Sequence, residues 1–161
     1  MRAFGRASKL GALSLAWLAG CSSASGSGDT SKCQKLATTF FRQPFETRIT
    51  DFARRELLDQ YTIFICGNQF MHPPAQYLAE PFARRGGAIV PFLRAKLADA
   101  HEDLTVRDIV LVFTEMSRQR YYDVSKDSDL IHQMREAAAR MKNQGWKTIT
   151  EQRIEAATAV R

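Results

Sequence analysis

The sequence predicts an all-α fold. Val106, Ile109, Val110, Phe113 and Met116 recur at helical spacing and form one apolar face. Leu130, Ile131, Met134, Ala138 and Met141 repeat the pattern a connector later. Between two earlier amphipathic stretches stands Gly86-Gly87, the punctuation of a helical hairpin.

Taken in order, Leu36 to Phe41 reads as a short first helix, and Thr50 as the cap of a longer one carrying Phe52, Leu57, Tyr61, Phe64 and Ile65. The aromatic and branched residues of Tyr61 to Cys66 also suit a strand, and local pattern leaves both readings open. Asn68 to Pro74 is a connection, with Pro74 suited to the first turn of a helix bearing Tyr77, Leu78 and Phe82. That helix should bend near Pro81 and stop at Gly86-Gly87. Ile89, Val90, Leu93 and Leu97 begin the next one, with Pro91 at its start.

Thr105 and Asp108 fit a capping pattern for the following helix, whose opposite side carries Arg107, Glu115, Arg118 and Gln119 toward solvent. Tyr121 to Val124 connects it to a helix that starts near Asp127 and is expected to end at Gly145. A weakly amphipathic helix, Thr150 to Ala159, closes the chain. Paired helices of this kind make either a small bundle or a short stack. The restart Gly87-Ala88-Ile89-Val90-Pro91-Phe92-Leu93 resembles the second helix of a HEAT-type repeat, which implies the stack.

The amino terminus reads differently. Arg2, Arg6 and Lys9 precede the short apolar run Leu10 to Leu18, about half of what a helix needs to cross a bilayer. Then comes Leu18-Ala19-Gly20-Cys21. This run resembles the lipobox of bacterial lipoproteins. The resemblance implies cleavage before Cys21, a thioether-linked lipid on its sulfur, and anchoring to the envelope. Ser22 in place of an aspartate implies sorting to the outer membrane, periplasmic face. The expected organisation is a signal peptide over 1–20, a Gly/Ser-rich tether over 21–32 and one helical domain over 33–161.

Arg2, Arg6 and Lys9 supply half of the formal net charge of +6, so the chain beyond the signal is only modestly basic. Without clustered charge on one face, nucleic acid is not expected as a partner. Two cysteines remain, and an oxidising compartment favours a Cys33–Cys66 disulfide. Cys66, amid Ile63, Phe64 and Ile65, equally suits a small buried apolar role. Nothing near it would lower a thiol pKa for catalysis.

Reaction chemistry has little purchase. His101-Glu102-Asp103 is contiguous, and adjacent residues rarely converge on one metal ion. Asp108 and Glu115 share a helical face but are about 10 Å apart along the axis. His72 precedes two prolines, and His132 neighbours Arg135 on a helix. No catalytic residue, metal site or cofactor is expected. A non-enzymatic module acting through contacts with an envelope protein is the leading expectation, with an immunity-type protein that blocks an envelope-acting toxin beside it. A cell-wall or lipid hydrolase would require a pocket that gathers His72 or His101 with carboxylates. Arg84 and Arg85, beside the Gly-Gly hinge, are the candidate interaction residues; Arg54-Arg55 and the pair Arg118 and Arg120 are further basic positions.

Overall fold

A computed structural model of the chain describes residues 27–159. The signal peptide and Cys21 lie outside the described residues. All regular structure among the described residues is helical: α1 (Ser27–Thr38), α2 (Phe45–Arg54), α3 (Leu57–Phe70), α4 (Ala79–Ala83), α5 (Val90–Ala98), α6 (Asp103–Arg118), α7 (Ser128–Ala139) and α8 (Gln144–Thr158). Single 3-10 turns lie between several of them.

α6 is the axis. It packs on α3, α4, α5, α7 and α8, most extensively on α8. Every residue from Val106 to Phe113 is therefore buried, whichever side of the helix it occupies. In a solenoid each helical pair would touch only its neighbours in sequence. The five helices that α6 meets are its neighbour α5 and the pairs before and after it, so the all-α fold is a small helical bundle whose contacts a short stack would also make. Val110, Phe113, Leu130 and Met134 are all fully buried in the common core, as their faces require.

The first helix begins earlier than composition suggests. Residues 27–32, read as tether, are the start of α1. Its length is supported from outside: Cys33 is bonded to Cys66 of α3 with Cα atoms 5.1 Å apart, and Leu36 packs against the core. Tertiary attachment overrides weak local propensity here.

Thr50 caps nothing. It lies inside α2 and donates its hydroxyl to Glu46 O at 3.0 Å. The long helix expected around it is instead broken at Arg55 and Glu56, whose backbones are extended with ψ of 155° and 153°. The Phe52 carbonyl accepts from Arg55 N at 3.2 Å and from Gln60 Nε2 at 2.6 Å, and Arg85 Nη2 donates to Arg55 O at 2.6 Å. Tyr61 to Cys66 is helical, since α3 runs on to Phe70.

Gly67 marks the closest approach to α3. A Cβ there would stand 2.6 Å from Phe41 Cζ and 2.8 Å from Ala75 Cβ. Helix propensity alone would favour Gly67→Ala by about 1 kcal/mol. Overpacking against a ring and a methyl group costs about 1–3 kcal/mol, so the clash should prevail. The expected result is a net loss of stability in chemical denaturation; an unchanged or raised midpoint would show that Phe41 retreats freely.

Pro81 sits in the first turn of α4 and Pro91 in that of α5, where the missing donors go unneeded. Between them Gly86 adopts φ +61°, with Tyr121 O 3.0 Å from where a Cβ would stand. α6 begins at Asp103, two residues before the expected cap Thr105. The Asp103 carboxylate is used elsewhere, accepting from Lys142 N and Asn143 N at 3.0 and 2.6 Å.

Asp127 does cap α7, accepting from Leu130 N at 2.9 Å. That helix ends at Ala139, well before Gly145. Asn143 then caps α8 by accepting from Trp146 N at 3.0 Å, which places Gly145 in a first turn. The weakly amphipathic last helix, expected over Thr150 to Ala159, is α8, which starts at Gln144 and is the principal partner of α6.

Candidate functional site

Enclosing α6 buries charge. Arg107, expected on a solvent face, is 4% exposed, and Asp108, expected as a cap, is fully buried. Arg107 donates from Nε and Nη2 to Asp108 Oδ1 at 2.8 and 2.6 Å. Its guanidinium also lies over the Trp146 ring of α8, 4.6 Å from the centroid. Gln69 of α3 reaches Asp108 Oδ2 at 3.5 Å and Thr105 Oγ1 at 3.1 Å. Arg153 of α8 donates to Arg107 O at 3.3 Å.

Burial pushes the Asp108 carboxyl up to about 6, against the downward pull of Arg107, Gln69 and Arg153. Burial, aided by the charge of Arg107, pushes Arg153 down. Chemically this cluster ties α3, α6 and α8 together.

A cavity of about 620 Å³ lies where α6 and α8 end beside the α6–α7 connection. Thr114, Ser117, Arg118, Arg120, Tyr122 and Lys126 line it. Its hydroxyls are already spent on the scaffold. Thr114 donates to Val110 O at 2.9 Å, Ser117 to Ala157 O at 2.7 Å, and Tyr122 to Asp127 Oδ2 at 2.7 Å. Arg118 pairs with Glu115, and Lys126 with Asp123 at 2.9 Å. Arg120 ends α6 at φ 61°. His72, His101 and His132 are not among the lining residues; His132 faces Glu136 at 3.4 Å on the surface of α7. No group of histidine, cysteine and carboxylate side chains suited to a metal occurs among the described residues.

Arg84 and Arg85 are both exposed, and they do different things. Arg85 Nε donates to Gln60 Oε1 at 2.6 Å while its Nη2 holds Arg55 O, so this side chain secures the α2–α3 break. Arg84 grips Glu80 at 3.0 Å, and the Tyr121 hydroxyl donates to the same carboxylate at 2.7 Å. Arg55 turns to Asp51 at 2.8 Å and over the Phe40 ring.

A surface of another character lies on α3 and α5. Leu58, Tyr61 and Ile65, at i, i+3 and i+7, share the side of α3 opposite the buried Ile63. Leu58 is 59% exposed. Tyr61 meets Phe92 of α5 edge to face at 5.6 Å, and Lys96 Nζ lies 5.4 and 5.6 Å from the two ring centroids. The signal for this surface is present in the sequence: α3 is apolar on both sides, and Phe92 and Lys96 are one turn apart. Elsewhere the exposed ring of Phe45 lies tilted against Tyr77 at 4.9 Å, beside Arg48.

Comparison with protein-family models, with curated proteins and with solved structures gives no match in any of the three.

Proposed function

We propose that the chain is a lipid-anchored protein of the bacterial envelope, held at the outer membrane's periplasmic face, whose helical domain binds another envelope protein without catalysing a reaction. The observation that carries this reading is the Leu18-Ala19-Gly20-Cys21 run behind a basic and then apolar segment. α1 starts six residues after Cys21, and the Cys33–Cys66 bond joins α1 covalently to the bundle. Such an attachment would fix the domain close behind its anchor. A single acyl chain binds membranes only marginally, so the reading requires the two or three chains of a processed lipoprotein.

Apolar and aromatic side chains left outside the core support the binding role, as does Arg84 beside the Gly86 turn. Among the described residues no helix is long and apolar enough to cross a membrane.

Mass spectrometry of the mature protein tests the anchor. The expected amino-terminal residue is a diacylglyceryl-modified Cys21, and Cys21→Ser should leave an uncleaved, unlipidated precursor. A native chain with an unmodified Cys21 would end the proposal. Charge reversal at Arg84 should weaken partner capture with little change in melting, whereas reversal at Arg85 should lower stability through the α2–α3 break.

A further inference from the structure

We propose that the end of the bundle from which the chain leads back to Cys21 lies against the phospholipid bilayer, with Phe45 and Phe70 entering its headgroup layer. The proposal rests on the lipid anchor inferred above and assigns the part of the domain that the anchor brings to the membrane. Phe45 and Phe70, at 47% and 46%, are the phenylalanines that the fold leaves exposed among the described residues.

Both rings stand at one end. Phe70 is the last residue of α3, and Ala75 N donates back to Gly67 O at 3.0 Å, which folds the following loop onto that end. Just beyond this bond Tyr77 meets Phe45, the first residue of α2, at 4.9 Å. The start of α1 points the same way. The disulfide sets Cys33 level with Cys66, while the other end of α1 leads into Phe40, whose ring lies by the Arg55 guanidinium just ahead of α3. α1 therefore runs against α3. Its first residue, Ser27, lies about 9 Å beyond Cys33 toward the Phe70 end.

The length of chain decides what can cover this end. Cys21 stands six residues before Ser27, a stretch that spans at most about 22 Å. A partner domain of even 100 residues has a radius of gyration of about 13 Å, so its full width does not fit between this end and an anchored Cys21. The bilayer that holds the lipid is within reach of both rings. Two half-exposed rings bind a membrane weakly alone, but the anchor makes their encounter intramolecular. Charge plays no part in the choice. Glu46 beside Phe45 is exposed, as is Glu102 at the start of α6, which Gln69 of α3 joins through Thr105. These carboxylates keep the end at headgroup level, and the attraction is that of apolar rings for the interface. The contact should therefore be indifferent to salt.

The test places a photo-crosslinking phenylalanine derivative at position 45, 70 or 58 of the full-length chain in intact envelopes and identifies the adducts by mass. Leu58 is the control. At 59% it is more exposed than either ring, but it lies at the opposite end of α3, about 18 Å from Phe70 along the axis. The expected result is phospholipid adducts from 45 and 70 at about tenfold or more the yield from 58, unchanged at high salt. Position 70 serves alone if the bulkier ring at 45 disturbs Tyr77 and lowers the melting temperature. Equal lipid yields at the three positions, adducts from 45 and 70 to a protein, or lipid adducts that vanish at high salt would overturn the proposal. No lipid adduct from 45 or 70 while Cys21 carries its lipid would remove this surface and keep the anchor. Lipid adducts from 45 and 70 with Cys21 unmodified would keep the surface and remove the anchor.

Discussion

Asp108→Ala should destabilise the fold by about 3–5 kcal/mol, because it leaves a buried guanidinium without its counter-charge. Arg107 is 5% exposed at its side chain and directs two N–H groups to one Asp108 oxygen, so no solvent shell replaces that carboxylate. Asp108→Asn retains an acceptor and should do less harm. Replacing both partners together, Arg107→Met with Asp108→Leu, should fall near neutrality, since the pair repays little beyond its own desolvation. Denaturant melts of the two single variants and the double variant give the cycle. A double variant as unstable as Asp108→Ala would mean that the Trp146 contact, and not the ion pair, holds this junction.

The same carboxyl sets a pH dependence whose sign follows from its raised pKa. The folded chain holds the Asp108 proton until about pH 6, whereas an ordinary aspartate releases it near 3.8. Folded protein thus binds more protons than unfolded across that interval, and stability falls as pH rises through it. This contribution is complete below 3.8 and lost above about 6. Asp51, Glu80 and Asp127 have lowered pKa values and act oppositely, losing stability under more acid conditions. The difference in stability between the wild type and Asp108→Asn should therefore shift in favour of the wild type as pH is lowered from 7 to about 5. A flat difference would show a carboxyl with its ordinary pKa, and a shift the other way one stabilised in its ionised form; either result overturns the raised pKa.

Arg107 and Asp108 also mark how far the sequence could be read. Apolar spacing identified the stripe Val106, Ile109, Val110, Phe113 and Met116 correctly, because a helix must bury its apolar side whatever surrounds it. Spacing says nothing of whether the other side meets water. Here five helices surround α6, so part of the polar side was buried too, with Arg107 on Trp146 and Asp108 under Gln69, while Arg118 stays exposed.

Boundaries show a similar division. Asp127 begins α7 through a hydrogen bond three residues away, a local event that local sequence encodes. The break at Arg55 is held by Gln60 and by Arg85, the latter 30 residues downstream, and no nearby glycine or proline announces it. Thr105 was legible as a cap only if Asp103 were unoccupied by the amides of Lys142 and Asn143. The surface on α3 escaped for a different reason. Tyr61, Phe92 and Lys96 are brought together by tertiary packing, although each lies in a recognisable helix.

Opening the Cys33–Cys66 bond should lower stability by about 3.5–4 kcal/mol, the loop-closure entropy restored to an unfolded chain cross-linked across 33 positions. Both cysteines are buried, so Cys33→Ala with Cys66→Ala is the cleaner comparison: serine would add unsatisfied hydroxyls in an apolar place. The loss should be uneven. α1 meets the remainder of the bundle chiefly through α3 and the turn at Phe40–Arg42, whereas α6 has five helical neighbours. Hydrogen exchange should accelerate first in residues 27–38 and leave the protection of α6 nearest the global limit. The consequence reaches the proposed anchor, because any pull on Cys21 would act first on α1 and then, through this bond, on α3. Without it, α1 would extend the tether while α6 and α8 stayed packed. A double-alanine variant with wild-type melting and unchanged exchange in α1 would show that noncovalent packing alone secures the amino-terminal helix.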